Sequence, residues 1–233
     1  MPTLSRLATT VVALLTLAPA LAQDYRAPLV VGTAYDSNSG SLLYTERHFC
    51  SDDKTSCNIE YSDALGTVIA EKKLDYSLSL ISPALTMLDY RQDLEINVLA
   101  GASEGMVVDA GFDNYVRSKW DELLSGRDVD FSFLVVGLDK PLNMRARREI
   151  SESCGAEEVC LSIGMNSWLL GMLVDPIELS YSQDSQQLLR FSGVSNIKGA
   201  AGETLSVDIL YQYGNETLLV GPLDGAGTAP FNF

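Results

Sequence analysis

The sequence is poor in the residues that enzyme active sites use most. Its 233 residues contain one histidine and four cysteines, no H-E-x-x-H motif, and no serine in a recognisable nucleophile elbow. Its aspartates also lack the D-x-D-x-D-G order of a calcium loop. The sequence therefore predicts no catalytic residue, no metal site and no cofactor.

Basic residues are also scarce. There are 16 Lys and Arg against 31 Asp and Glu, for a formal net charge of −15. Nucleic acids and anionic membrane surfaces attract basic proteins. The charge therefore disfavours both as partners, and no nucleic-acid partner is predicted; the acidity favours solubility.

No apolar run is long enough to cross a bilayer, which needs about 20 residues. The longest, residues 7–17, follows Arg6 and precedes Ala20-Leu21-Ala22, which is the pattern of an export signal. The residue directly after this cleavage site is Gln23 rather than a cysteine, which disfavours a bacterial lipid anchor. The sequence predicts a periplasmic or secreted protein without a transmembrane segment after signal removal. Its predicted parts are a cleaved signal over 1–22, a single β-rich domain over 23–220 and a loosely ordered tail over 221–233.

The four cysteines fall into two close pairs, Cys50 with Cys57 and Cys154 with Cys160. In an exported protein this spacing predicts two local disulfides, the first of them clipping the end of a hairpin. The alternative is a Cys₄ zinc site, but zinc ligands normally come as C-x₂₋₄-C pairs and these gaps are wider.

Most of the chain alternates apolar and polar residues with a period of two, as "VDFSFLV" at 129–135 does. Such strands bury one face, which is typical of an antiparallel sheet. The predicted strands are 28–35, 41–50, 57–62, 67–76, 94–99, 128–137, 142–151, 157–164, 177–182, 187–192 and 204–213. Two helices are predicted over 111–126 and 166–175 from their spacing and end signals. The predicted fold is mainly β (α+β): a curved antiparallel sheet or half-barrel of about eleven strands, with the two helices covering its concave face.

His48, the single histidine, lies two residues before Cys50 on the strand face that also carries Glu46. A catalytic histidine needs a nucleophile and an orienting group. We interpret His48 as a strand-face imidazole near Glu46 rather than as a reactive residue.

Arg145, Arg147 and Arg148 form the one basic cluster of an acidic chain. They are candidates for contact with an anionic head group. The alternative is pairing with acids on neighbouring strands, such as Asp130 and Glu158.

Three segments together resemble a family of exported bacterial proteins without an assigned activity: "GTAYDSNSGSLLYTERH", "YSDALGTVIAEKKLDY" and "DAGFDNYVRSKWDELLSG". A fourth, "DPIELSYSQDSQQLLRFSGVSNI" at 175–197, resembles strands of half-barrel periplasmic lipoprotein carriers. The second resemblance implies an open antiparallel barrel whose apolar concave face sometimes holds acyl chains, and it transfers no functional residue.

The sequence predicts a non-enzymatic cell-envelope protein that binds an apolar or amphiphilic, lipid-like ligand in the curved sheet. An interaction or scaffolding module with a filled core and an envelope-protein partner is the alternative, and a hydrolase of unknown substrate is the third. The predicted ligand contacts are apolar and aromatic side chains of the second helix and of facing strands: Trp168, Leu169, Met172, Phe131, Phe133, Tyr211 and Tyr213.

Overall fold

The computed structural model describes residues 27–101, 105–138, 140–150, 154–167 and 175–214. The predicted signal and tail therefore lie outside the described residues. No helix of the described part is long and apolar enough to cross a membrane. The elements before the first helix are β1 Val30–Asp36, β2 Leu42–Cys50, β3 Ser56–Asp63, β4 Val68–Asp75, β5 Ala84–Asp89, β6 Leu94–Val98 and β7 Met106–Val108. Those that follow are α1 Gly111–Ser118, α2 Trp120–Leu124, β8 Val129–Leu134, β9 Leu142–Glu149, β10 Glu158–Met165, β11 Ile177–Ser182, β12 Leu188–Lys198 and β13 Thr204–Tyr213.

The described strands form one 13-stranded sheet, and the prediction of a mainly β, curved and unclosed antiparallel sheet is confirmed. One meander runs from β1 out to β6, and another runs from β8 back to β13. β1 and β13 lie side by side and join the two meanders, so the first and last strands are in the middle of the sheet. β7 is the exception to the antiparallel order, because it pairs in parallel with β8.

Two strands, β5 and β7, were not among the predicted eleven. β5 carries the apolar residues Leu85, Met87 and Leu88, so both of its faces are partly apolar and the period-two pattern is weak. β7 has three residues, all buried, and so shows no alternation.

The predicted helix over 111–126 is present but interrupted at Lys119, which leaves the helical conformation at φ −108° and ψ 12°. Two short helices result. α2 ends at Leu124, and Gly126 follows two residues later with a φ of 79°, which suits glycine; the amides of Gly126 and Arg127 bond the carbonyls of Leu123 and Glu122. The predicted end signal is thus correct. The second predicted helix, 166–175, falls mostly on residues outside the described ranges; Asn166 and Ser167 form a bend.

Two apolar clusters fill the inner face of the sheet. The helix-side cluster joins buried residues of α1 and α2, such as Val116 and Trp120, to strands β7–β11. The meander-side cluster joins β1–β5 to β12 and β13, with Tyr44, Tyr61 and Ile209 among its members. Both helices therefore cover the same half of the concave face.

Both predicted disulfides are present, so no cysteine remains free as a zinc ligand. Cys50 and Cys57 lie directly opposite each other in the β2–β3 hairpin. In the next pair, the Ser51 amide donates to the carbonyl of Ser56, so the cysteines occupy a non-hydrogen-bonded position. The second disulfide does not join two paired strands, because Cys154 lies in the bend before β10 and only Cys160 lies on a strand. The two disulfides indicate an oxidising environment.

Candidate functional site

The predicted ligand residues do not form one group. Phe131 and Phe133 belong to the helix-side cluster, and their rings contact that of Phe112 in α1, with centroids 5.5 and 5.6 Å away. Tyr211 packs with the meander-side cluster, and the Tyr213 hydroxyl donates to the carbonyl of Leu188 at 3.0 Å. Trp168, Leu169 and Met172 lie outside the described residues and stay predictions.

Around Phe133 the helix-side cluster has a partly exposed apolar border. Phe133 pairs with Leu142 across β8 and β9, and the inward-facing ends of β10 and β11 add two more residues of the same kind. We call this border the apolar rim, and its members are Phe112, Phe133, Leu142, Met165 and Ile177. All five are partly buried and pack against the cluster beneath them.

The apolar rim does not coincide with either of two hollows in the part of the chain that the structure describes. Two hollows of about 190 and 350 Å³ lie elsewhere, one against Phe49 and Glu60 on the outer face, the other at the β5–β6 turn. None of Phe131, Phe133 and the two predicted tyrosines lines either hollow. An apolar ligand at the rim would lie along these partly exposed side chains.

The three arginines do not reach the rim. On β9, Arg145 and Arg147 alternate with the buried Met144 and Ala146 and so lie on the outer face. Arg145 makes a bidentate pair with Asp130 at 2.5 and 2.9 Å, as the pairing alternative predicted, and Arg147 bonds Asp128 at 3.2 Å.

Arg148 and Glu158 do not form the predicted pairs between an arginine and an acid. Arg148 donates to the carbonyl of Leu124, the last residue of α2, which suits a cation at a helix C-terminus. Glu158 accepts a hydrogen bond from Ser180 and pairs with none of the arginines among described contacts. The anion-contact role of the three arginines stays a prediction.

His48 bonds the buried Glu46 through Nε2 at 3.1 Å, as the strand-face interpretation expects. Tyr211 hydrogen-bonds the same carboxylate from across β1. Gly32 lies between them, and a Cβ there would come within 2.7 Å of Glu46 and 2.9 Å of Tyr211. The missing side chain at position 32 therefore makes room for this contact between next-nearest strands.

Electrostatics keep Glu46 ionised. Burial alone would raise the pKa of this carboxyl, but the hydrogen bond and charge of His48, with Lys72 and Tyr211 nearby, outweigh burial and lower the pKa. Within the described ranges, the hydrogen bonds of His48 reach no hydroxyl or thiol that could serve as a nucleophile. The pair thus has an orienting carboxylate but lacks the attacking group of a triad.

The sequence does contain one G-x-S-x-G spacing, GASEG at 101–105. In α/β-hydrolases this motif joins a strand to a helix. Here it follows β6 and precedes β7, with positive φ at Gly101 and Gly105, so its context is strand to strand. Ser103 lies outside the described residues, and the spacing alone does not predict a nucleophile elbow.

A buried ion pair lies between the two clusters, and sequence reasoning did not find it. Lys72 of β4 bonds Asp109, which follows β7, at 2.6 Å, and both side chains are more than nine-tenths buried. Asn196 of β12 donates to the other carboxylate oxygen at 3.0 Å. Asp109 has a φ of 40°, a conformation that aspartate tolerates better than most residues. These contacts connect β4, the end of β7 and β12, which are far apart in the chain.

Comparison of the chain with models of known protein families, with curated proteins and with solved structures finds no match. The resemblances to exported bacterial proteins and to lipoprotein carriers therefore stay predictions, and the case for a function depends on the geometry of the site.

Proposed function

We propose that the protein is a non-enzymatic envelope protein, exported by its N-terminal signal, that binds the apolar part of an amphiphilic, lipid-like ligand at the apolar rim. The observation that supports this is the rim itself. Five large apolar side chains from α1, β8, β9, β10 and β11 meet at one border, and each keeps part of its surface exposed. Contiguous exposed apolar surface of this kind is typical of binding sites in soluble proteins.

The rim suits an alkyl chain better than a polar solute. Its aromatic and aliphatic groups offer no charge. Asp113, beside Phe112 in α1, is paired with Arg117, and the Arg145–Asp130 pair is on the opposite face of the sheet. Burying an alkyl chain here is driven by the removal of apolar area from water, worth about 25 cal/mol per Å². Both disulfides are consistent with an exported protein.

A titration with a dansyl-labelled C11 fatty acid tests the proposal. We expect saturable binding to the wild-type protein. Leu142→Asn keeps the size of the side chain but places an amide in the rim, and it should weaken binding about tenfold because one leucine contact is lost. Leu210→Asn is the matched control: this leucine is exposed on β13, next to the inward-facing Ile209, and its replacement should leave binding unchanged.

The proposal would be wrong if the probe bound without saturation, or if the two variants affected binding equally. Thermal melts of both variants check that neither loses the fold. Because Leu142 is only partly buried, we expect the melting temperature of the Leu142→Asn variant to stay near that of the wild type.

The second candidate is an interaction or scaffolding module with a filled core. It is favoured by the meander half of the inner face, where buried side chains such as Tyr44, Tyr61 and Ile209 occupy the space that a ligand would need. Absence of probe binding to the wild type, together with a protein that co-purifies in stoichiometric amount, would favour this module over the lipid-binding protein.

A further inference from the structure

Two uncharged loops beside the apolar rim expose leucines to solvent. The β4–β5 connection, residues 76–83, reads YSLSLISP, and residues 99–101 after β6 read LAG. We call these two segments the leucine loops. Leu78 is 83% exposed, Leu80 61% and Leu99 80%. Leucines this exposed in neighbouring segments are unusual for a soluble surface and point to a contact.

Backbone contacts hold the first leucine loop in place. The carbonyl of Leu80 accepts from the Asn114 side chain at 3.0 Å, and the carbonyl of Ile81 accepts from the Val108 amide at 2.9 Å. Gly111 is packed so closely on Ile81 that a Cβ would lie 2.2 Å from its carbonyl oxygen. These contacts hold the backbone of the loop at Leu80 and Ile81 against α1 and β7.

The same contacts connect the leucine loops to the rim. Gly111 and Asn114 belong to α1, and Phe112 between them is a rim residue whose ring contacts Phe133. The second loop is tied to the first, because the Gly101 amide donates to the carbonyl of Ser82 at 3.0 Å. Exposed leucines, α1 and rim thus form one continuous region.

Charge decides which partner fits. Residues 76–83 and 99–101 contain no charged residue, although Glu104 follows in the same β6–β7 connection, whereas the whole chain has a net charge of −15. An anionic bilayer would repel the protein, and a basic protein partner would find no acid in these loops to pair with. A zwitterionic lipid surface has no net charge. It can bury the leucines without repelling the acidic chain and without needing charged residues in the loops.

We propose that the leucine loops are the surface by which the protein contacts a zwitterionic lipid bilayer, so that the amphiphile of the rim can be exchanged with it; this inference rests on the proposed function. The leucines enter the boundary between head groups and acyl chains. The rim lies next to that boundary, where an alkyl chain leaves the lipid.

Co-flotation with phosphatidylcholine vesicles tests the contact. We expect wild-type protein to float with the vesicles and Leu78→Ser/Leu80→Ser to bind about a hundredfold more weakly, about tenfold for each leucine removed from lipid. Leu65→Ser is the matched control: Leu65 is 92% exposed, but it lies in the β3–β4 turn beside Asp63, and its loss should not change flotation. Adding phosphatidylglycerol should weaken binding at low salt, since like charges repel.

The inference is overturned if wild-type protein does not float, if the double variant floats as well as the wild type, or if Leu65→Ser loses as much binding. It is also overturned if the double variant loses a co-purified protein while vesicle binding persists. The dansyl fatty acid, titrated without vesicles, separates the two proposals. Normal probe binding with failed flotation removes only the bilayer contact, whereas flotation with no probe binding removes only the ligand at the rim.

Discussion

Replacing Lys72 with methionine is expected to lower the free energy of unfolding by about 3–5 kcal/mol, because it leaves the buried carboxylate of Asp109 without its cation. Both side chains are almost fully buried, and their charged atoms are 2.6 Å apart. Asn196 alone cannot neutralise the charge that remains. Urea denaturation of the variant against the wild type measures the loss.

A second substitution and a surface control test the cause. Lys72→Met/Asp109→Asn removes both charges while keeping a residue that tolerates positive φ at position 109, and it should recover most of the lost stability. Arg47→Met breaks an exposed pair with Glu60, whose side chains are 43% and 36% exposed. It should cost less than about 1 kcal/mol. If Lys72→Met costs no more than Arg47→Met, the pair is not buried in solution.

Alkaline pH is expected to unfold the protein cooperatively between about pH 11 and 13. Burial raises the pKa of Tyr44, Tyr61, Tyr181 and Tyr211 well above the usual value, and the charge of Glu46 adds to this at Tyr44, Tyr61 and Tyr211. Because the unfolded chain loses these protons first, their contribution is intact below about pH 10 and declines as the pH rises above it. Four such groups remove about 5 kcal/mol of stability per pH unit.

Tyrosine ionisation at 295 nm, followed together with far-UV circular dichroism, checks this expectation. The buried tyrosines should ionise only as the β signal is lost. Ionisation of all ten tyrosines near pH 10 in a folded protein would contradict it.

Tyr181→Phe sharpens the test. Its hydroxyl is buried and faces the carboxylate of Asp113 without a hydrogen bond of normal geometry, so its removal should cost little at pH 7 and should raise the pH of unfolding. Tyr44→Phe loses the 2.8 Å bond to Ser195 and should cost about 1 kcal/mol at pH 7. Equal stabilities of the two variants at pH 7 would contradict this difference.

Local patterns predicted most of the strands and both disulfides, since each depends on residues close together in the chain. Alternation in "VDFSFLV" gave the faces of β8, with Phe131 and Phe133 inward. The pattern failed where a strand is apolar on both faces, as in β5, or too short to alternate, as in β7. The full length of β12, to Lys198, was also not predicted, because its register shifts between Val194 and Lys198.

The site was less predictable, because its contacts join distant parts of the chain. Phe131 and Tyr211 were expected to face one ligand, yet they belong to different clusters. The alternation of apolar and polar residues in a strand predicts which face is buried, but it does not predict which half of the sheet the strand joins. The pairing of β1 with β13 brings Tyr211 to Glu46, and the curvature of the sheet brings Asp109 to Lys72. Gly32 was a usable local signal, since a glycine inside an alternating strand often marks a close approach of neighbours.

Native mass spectrometry of protein purified from its own cell, without detergent, tests the central claim most directly. We expect the wild-type chain to carry one amphiphile of lipid mass, and the Leu142→Asn chain prepared in parallel to lose most of it, while the Leu210→Asn chain retains it. Wild-type protein that is free of lipid, or a lipid retained equally by Leu142→Asn, would contradict the claim that the apolar rim is a ligand site.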